Sequence, residues 1–501
     1  MGRKSGILLP ISSLPSDYGI GSFSKEAYEF VDFLEKAGQS YWQILPLGQT
    51  GYGDSPYQSF STFAGNPYFI DLDALIGEGY ISREDVSCLY FGSSSSYVDY
   101  AEMYKNRYII LRKAYDNSPF SLSAVNRQET REGREKQEAF EEFIRDNRDW
   151  LTDYALYRAV KREQGNTSYI EWEDPIRLRD PEAMRTYREK LADEIRFVEF
   201  QQYLFYTQWM ALKDYANGKG IEIIGDLPIY VAFDSADTWS HPELFEFDEK
   251  GFPTVVAGVP PDAFSATGQL WGNPIYKWDY HKKTGYAWWM DRLSYAFKLY
   301  DVVRIDHFRG FDEYFAIPYG AETALEGEWR PGPGAELFKV MEENFGKKSI
   351  IAEDLGILTP GVYKLLEDTG YPGMKVLQFA FDGGSANEYL PHNHVKNTFV
   401  YTGTHDNDTT MGWYKSQDDW HRAYICRYLG VRDGNFRTLD MIRSAMMSVA
   451  DTVVIPMQDY LEKGRRGAKP GSILRPPWET TGNGGWNGET CRTVWHMRSE
   501  T

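Results

Sequence analysis

The segment VVRIDHFRGF, residues 302–311, begins as a short apolar strand and ends in a dense group of charged residues. Its first four residues are apolar except for Arg304, and Asp306, His307 and Arg309 follow at once. Charged side chains are rarely buried unless they are paired. Because Arg304 and Asp306 are two residues apart, strand alternation places both on one face, where the guanidinium would keep the carboxylate ionised. The segment is therefore either an ion-paired strand end or part of a functional site.

Other short apolar runs, each bounded by turn residues, share the pattern of a buried parallel strand. Together with the first segment, the candidate strands are residues 6–11, 41–47, 220–226, 301–306, 349–354, 374–381, 397–403 and 451–456. Helix-patterned segments such as 25–38 and 335–346 lie between several of them. This alternation predicts an α/β fold, a (β/α)8 TIM barrel with large helical and loop insertions between strands.

The spacing of the candidate strands is uneven, which predicts a barrel with long insertions. We expect a single catalytic barrel over residues 1–501, because no linker marks an independent second domain. A charged, helix-patterned interval predicts a mainly helical insertion over 75–215. Residues 231–290 are rich in Gly, Pro and aromatic residues and predict a second insertion with a lid loop. The C-terminal tail, 464–501, is atypical because it has no clear periodicity.

Composition argues against several classes of protein. The net charge of −19 disfavours nucleic acid as a partner. The three Cys residues lie far apart and are odd in number, so neither a disulfide framework nor a zinc site is expected. The apolar run near the N-terminus is too short for a signal peptide, and no apolar run is long enough to span a membrane. We therefore expect a cytoplasmic protein that has no membrane partner.

Acidic residues stand at or just after the ends of four candidate strands. They are Asp226, Asp306, Glu353 and Asp406. In a β/α barrel the carboxyl ends of all strands open onto one face, where active sites lie. Like charges gathered there repel each other, so a purely structural role is hard to motivate. A single such acid is more often a helix cap or an ion pair, and for Asp226 alone that reading is preferred.

Enzymes that cleave glycosidic bonds commonly use two carboxyl groups with different pKa values. One attacks the anomeric carbon, and the other donates a proton to the leaving oxygen. Glu353 follows three apolar residues, which should raise its pKa and suit it to the acid role. His307 and His405 each stand beside an acid and could donate hydrogen bonds to sugar hydroxyls.

Long motifs in this chain resemble the amylomaltases, the 4-α-glucanotransferases of the α-amylase superfamily. The motifs are GYGDSPYQSFSTFAGNPYFIDL (51–72), GDLPIYVAFDSADTW (225–239), VAGVPPDAFSATGQLWGNPIY (256–276), VVRIDHFRGF, IIAEDLG (350–356) and TGTHDND (402–408). The resemblance covers nearly the whole chain, from about Gly6 to Tyr460. It implies transfer of α-1,4-glucan segments between malto-oligosaccharides, with glucose or maltodextrin as acceptor and with no cofactor or metal. The oligomeric state stays open.

The resemblance also implies roles at the matching positions. Asp306 would be the nucleophile, Glu353 the general acid/base, and Asp406 a stabiliser of the transition state. The residues that would bind substrate are Tyr57, Asp226, Asp262, Gln269, Trp271, Arg304, His307, His405, Phe379 and Tyr52. Among these, Asp262, Gln269 and Trp271 are expected in a mobile lid loop over the acceptor side. Phe379 has apolar neighbours, which makes a core role nearly as good an interpretation.

The sequence departs from the family after Tyr460. The expected Arg-Met-Asn motif is absent, and the composition changes toward Arg, Gly and Pro. We interpret this tail as divergent or frame-altered, a hypothesis that the coding DNA in the neighbouring frames would test.

Three other functions compete with glucan transfer. A hydrolase of the same superfamily would carry the same carboxylates, and only the lid and the acceptor site separate it from a transferase. A non-catalytic glucan-binding protein would not need Asp306, Glu353 and Asp406 together. A phosphosugar enzyme would need a Gly-rich phosphate loop late in the barrel, where residues 404–413 offer acids instead.

Overall fold

The structure is a computed structural model that describes residues 2–51, 54–92, 97–123, 130–261, 265–356, 358–432 and 434–462. Its strands are β1 (Lys4–Leu8), β2 (Tyr41–Gln43), β3 (Glu222–Leu227), β4 (Val255–Val259), β5 (Gln269–Pro274), β6 (Val302–Ile305), β7 (Glu313–Pro318), β8 (Glu328–Pro331), β9 (Ile350–Ala352), β10 (Gly373–Val376), β11 (Thr398–Tyr401) and β12 (Thr452–Pro456). They form two sheets, one parallel and one antiparallel.

The parallel sheet is the predicted barrel. Its order is β10-β11-β12-β1-β2-β3-β6-β9, so each of the eight apolar runs identified in the sequence contributes one strand. The two end strands approach each other, since Ala352 N at the end of β9 donates to Pro372 O just before β10 at 2.9 Å. Apolar side chains from alternate positions, including Leu8, Ile224 and Val454, fill the interior. The (β/α)8 prediction is confirmed.

Helices surround the barrel and fill the interval between β2 and β3. They are α1 (Lys25–Lys36), α2 (Leu72–Gly77), α3 (Arg83–Ser87), α4 (Tyr100–Asn117), α5 (Arg131–Asp146), α6 (Arg148–Glu163), α7 (Asp174–Arg177), α8 (Pro181–Lys190), α9 (Ala192–Gly218), α10 (Ala236–Ser240), α11 (Trp278–Lys283), α12 (Ala287–Leu299), α13 (Ala335–Phe345), α14 (Pro360–Thr369), α15 (Thr410–Ser416), α16 (Asp419–Leu429), α17 (Thr438–Met447) and α18 (Met457–Tyr460). Helices α3 to α8 lie within residues 75–215, where the sequence predicts a helical insertion, and α2 and α9 overlap the two ends of that interval. Within the part of the chain that the structure describes, no helix has the length and apolarity needed to cross a membrane.

The antiparallel sheet, in the order β5-β4-β7-β8, was not predicted. Its strands β4 and β5 pair across a register irregularity between Val256 and Gly258. This Gly/Pro-rich segment was expected to be a loop, and β7 and β8 were missed because short antiparallel strands carry little periodic signal. Gln269 and Trp271 therefore lie on strand β5 and not in a loop, which corrects that expectation.

Candidate active site

The acids predicted at the strand ends converge at the carboxyl end of the barrel. Asp226 lies near the end of β3, Asp306 follows β6, and Glu353 follows β9. Backbone hydrogen bonds fix the neighbouring strand ends against each other. Asp306 N donates to Leu227 O at 3.0 Å, and Glu353 N donates to Ile305 O at 3.0 Å. The parallel ladder therefore sets Asp306 and Glu353 side by side.

Arg304 links two of these carboxylates. Its Nη1 lies 2.7 Å from Asp226 Oδ1 and 2.8 Å from Asp226 Oδ2, and its Nη2 lies 3.0 Å from Asp306 Oδ1. Arg304 and Asp226 are both buried. Such a pair would be costly without mutual compensation. Asp226 is thus held in the site by an ion pair with Arg304.

Tyr57 and His405 extend the hydrogen-bond network from Asp226. The Tyr57 hydroxyl donates to Asp226 Oδ2 at 2.6 Å, and it lies 2.6 Å from His405 Nε2. Because the single hydroxyl proton goes to Asp226, His405 Nε2 is the donor to the Tyr57 oxygen. The two rings stack with centroids 5.4 Å apart. Asp406 Oδ2 lies 3.2 Å from the same His405 nitrogen, so the network reaches the third predicted catalytic residue.

Backbone amides hold both oxygens of Glu353. His307 N donates to Oε2 at 2.7 Å, and Leu355 N donates to Oε1 at 3.0 Å. His307 has the left-handed conformation, with φ 51° and ψ 49°, which is uncommon for a residue other than Gly. This conformation directs its N–H toward Glu353, so the residue after Asp306 also orients the Glu353 carboxyl group.

Burial raises the pKa of both central carboxyl groups. Burial raises the pKa of Asp306 to about 6, and the Arg304 charge opposes it. Burial, followed by the Asp306 charge, raises the pKa of Glu353 to about 7, while Arg304 and the two backbone N–H groups lower it. The raised pKa of Glu353 agrees with the direction predicted from its apolar neighbours in the sequence. Arg304 does lower the pKa of Asp306, as expected, but burial outweighs it; Asp306 is still the more acidic of the two.

His307 and Trp271 form one wall of the site. Their rings meet edge to face with centroids 4.8 Å apart, and Trp271 Nε1 donates to Gln269 Oε1 at 3.1 Å. Burial and the charge of Arg309 lower the pKa of His307 to about 3, so its ring is neutral at neutral pH. Its Nε2 is buried and has no hydrogen-bond partner among the described residues.

The remaining predicted residues are less central. Phe379 ends a short 3₁₀ turn after β10 and packs edge to face on Tyr389 at 5.6 Å, while also contacting the barrel interior. Tyr52 and Asp262 lie outside the described residues. Tyr230 was not predicted from the sequence, and its ring lies 6.4 Å from that of Trp271 and 6.5 Å from that of His307. Its place in the motif 225–239 was the available signal.

The site offers acids and aromatic rings. Among the described residues, no group of three or more His, Cys, Asp or Glu side chains could hold a metal ion. A barrel that presents neighbouring carboxyl groups of different acidity beside aromatic side chains is typical of enzymes that act on glycosidic bonds.

Comparisons with known proteins identify the family. A model of the 4-alpha-glucanotransferase family matches residues 9–481. A 4-alpha-glucanotransferase of Streptococcus pneumoniae is 49% identical over 462 residues, which cover 92% of this chain and 89% of that relative. One from Thermus thermophilus is 46% identical, with coverage of 97% and 94%. The structure of an amylomaltase from Streptococcus agalactiae in complex with acarbose matches with a TM-score of 0.87 and 44% identity, covering 92% and 91%. The chain belongs to the 4-alpha-glucanotransferase family and is an enzyme of this type.

Proposed function

We propose that this enzyme transfers α-1,4-glucan segments between malto-oligosaccharides, with release of glucose, through a covalent glycosyl-enzyme on Asp306. The observation that carries the proposal is the pairing of Asp306 with Glu353 across the β6–β9 ladder. The Arg304 charge favours the ionised form of Asp306, and the Asp306 charge together with burial favours the protonated form of Glu353. A nucleophile and a general acid require these opposite protonation states.

In the first step Asp306 attacks the anomeric carbon of the donor glucan. The bond from that carbon to the leaving glycosidic oxygen breaks, and Glu353 donates its proton to the oxygen. The shorter glucan or glucose then leaves, while the transferred segment stays bound to Asp306 as an ester. Glu353 is now ionised and can act as a base.

In the second step a hydroxyl of an acceptor glucan attacks the same carbon. Glu353 removes the hydroxyl proton, the bond to Asp306 breaks, and the configuration at the anomeric carbon is retained after two inversions. Glucose or a maltodextrin serves as acceptor. Transfer requires that water is excluded during the lifetime of the ester, and the contact of the Trp271 ring with His307 supports a role for Trp271 as apolar cover.

The other polar groups position the donor sugar. Arg304 and Asp226 form a buried pair that fixes the direction of the Asp306 carboxylate. Tyr57, tied to Asp226 and His405, presents its ring to the sugar bound at the nucleophile. Asp406 is in position to accept hydrogen bonds from sugar hydroxyls and to stabilise positive charge on the reacting ring. Acarbose, the ligand of the Streptococcus agalactiae structure, is proposed to bind this chain at the same carboxyl end.

Incubation with maltotriose, followed by separation of the products by chain length, tests the proposal. We expect glucose together with maltopentaose and longer chains. Asp306→Asn keeps the shape of the side chain and tests the assignment of the nucleophile. It should lose turnover by roughly 10³-fold or more, while its melting temperature stays close to that of the parent. Glucose and maltose alone would mean hydrolysis, and turnover near the parent level in Asp306→Asn would overturn the assignment of the nucleophile.

A further inference from the structure

The loop 403–409 carries two residues of the site, His405 and Asp406, between the end of β11 and the start of α15. The Asp406 side chain is 71% exposed, and among the described residues its carboxylate lies 3.2 Å from His405 Nε2. An exposed carboxylate with so little side-chain support takes its position from its backbone. The hydrogen bonds that fix the loop backbone therefore also fix the position of Asp406.

Within the loop, a short turn is built on Asn407. Its Oδ1 accepts from Thr404 N at 2.8 Å and from Thr404 Oγ1 at 3.0 Å. Asp406 N in turn donates to Thr404 Oγ1 at 3.3 Å. From outside, Gln378 Nε2 donates to Asp408 O at 2.9 Å. These bonds shape the middle of the loop but leave its two ends to be held by other groups.

Asp459 holds both ends. Its Oδ2 accepts from Thr402 Oγ1 at 2.5 Å, directly before the loop, and from Thr410 Oγ1 at 2.7 Å, directly after it. Its Oδ1 accepts from Thr410 N at 2.8 Å. Its main-chain oxygen accepts from Thr438 Oγ1 at 2.7 Å, at the first residue of α17. Asp459 thus joins three elements: its buried carboxylate binds the residue after β11 and the first residue of α15, and its main-chain oxygen binds α17.

We propose that Asp459 is a positioning residue for glucan transfer, which sets Asp406 and His405 by clamping both ends of their loop. The inference rests on the proposed function, because it assumes that Asp406 contacts the donor sugar. Asp459 is 1% exposed, and its two oxygens receive three hydrogen bonds, so its burial is compensated by donors that all come from the loop ends. Burial raises its pKa, while the Thr402 and Thr410 donors oppose that effect.

Asp459 lies on α18, the last described helix, which follows β12 directly. Any change in how α18 is packed reaches Asp406 through the clamp. The first segment after β12 is thereby a part of the active-site support, although it contributes no side chain to the site itself.

Asp459→Asn is the first test, because the amide keeps the shape, removes the charge, and presents a donor where hydroxyl donors converge. Asp234→Asn is the matched control. Asp234 likewise accepts three hydrogen bonds, from Tyr157 Oη at 2.7 Å, Lys161 Nζ at 2.5 Å and Tyr169 N at 3.1 Å, but it touches neither end of the loop. With maltotriose, at a temperature where both variants are folded, we expect kcat/KM to fall by ~10- to 100-fold for Asp459→Asn and by less than about twofold for the control.

A second pair of variants keeps the proposal testable if Asp459→Asn does not fold. Thr402→Val removes one hydroxyl of the clamp at nearly constant volume, and Thr402→Ser retains it. We expect Thr402→Val to lose roughly three- to tenfold in kcat/KM and Thr402→Ser to recover most of the loss. Equal activity of the two variants would overturn the clamp.

Acarbose affinity, measured by calorimetry, separates positioning from a loss of stability. Asp459→Asn should weaken binding by about fivefold or more in the parent enzyme, but by less than about twofold when Asp406→Asn is already present. An equal loss in both backgrounds, or a lowered melting temperature with unchanged kcat/KM, would overturn the proposal. A parent enzyme without activity on maltotriose would instead contradict the proposed function.

Discussion

At the residue scale, the acidity of Glu353 results from opposing neighbours. Burial and the negative charge of Asp306 favour the protonated carboxyl, while the N–H groups of His307 and Leu355 favour the carboxylate. The balance leaves the pKa near neutrality, where a group that alternates between acid and base is most effective. Apolar neighbours in the sequence indicated the direction of the pKa shift, but the His307 amide, which opposes that shift, is brought to Glu353 by the tertiary structure.

Glu353→Gln should change how stability depends on pH. The folded pKa of about 7 lies above the unfolded value, so between the two the folded parent enzyme binds more protons and its stability falls as pH rises. The Gln variant lacks this loss. We expect its free energy of unfolding to gain on the parent enzyme by on the order of 2–3 kcal/mol between about pH 4 and about pH 8.

Denaturation in urea at several pH values measures this difference. A constant offset from the amide, whose N–H₂ group meets a backbone N–H, does not depend on pH and so does not obscure the trend. A gap between the two proteins that stays flat across the pH range would show that the Glu353 pKa is not raised.

At the element scale, close packing on the outer face of β3 supports the site on its inner face. Gly225 lies next to Asp226, and alternation directs the two positions to opposite faces. A Cβ at Gly225 would lie 2.1 Å from Cγ of the Tyr300 ring. Tyr300 immediately precedes the turn into β6, so the glycine allows the connection to pack tightly against the strand that carries Asp226.

Gly225→Ala should therefore destabilise the enzyme by about 1–3 kcal/mol, because the ring or the strand must move. Gly77→Ala is the control, since the last residue of α2 has open space around its Cα and should be neutral or slightly stabilised. Thermal denaturation of both variants measures the effect. Adding Tyr300→Leu should return part of the lost stability to Gly225→Ala, and a simple sum of the two losses would contradict this account.

At the scale of the whole molecule, helix α9 joins the barrel to the helices inserted before β3. Its Phe205 and Trp209 belong to the main apolar core, and Trp209 Nε1 donates to Leu299 O at 3.1 Å. Val198 on the same helix belongs to a second core, which also contains Leu151 and Trp172. Because α9 is one continuous helix of 27 residues, unfolding of one core would disturb the packing of the other.

The two cores should therefore unfold together. Leu151→Ala, a cavity in the second core, should cost about 2–5 kcal/mol and lower the urea midpoint equally in far-UV circular dichroism and in tryptophan fluorescence. Tryptophan fluorescence reports on both cores, since Trp209 and Trp289 lie in the main core and Trp172 and Trp239 in the second. Two separate transitions, of which Leu151→Ala shifts only one, would mean that the helical insertion unfolds independently of the barrel.

The sequence by itself determined the barrel and most of the charged residues at the carboxyl ends of its strands. Buried parallel strands are continuous apolar runs, so all eight could be read directly, and the acids at their ends share one face by the geometry of the fold. Tertiary structure alone decided the remainder, because those features depend on partners distant in the chain. His307 N meets Glu353 across 46 residues, and Thr402 meets Asp459 across 57. The antiparallel sheet with Trp271 likewise depends on β7, which lies beyond β6 in the chain. Local patterns encode burial and periodicity, whereas such contacts exist only after the barrel has brought the strand ends together.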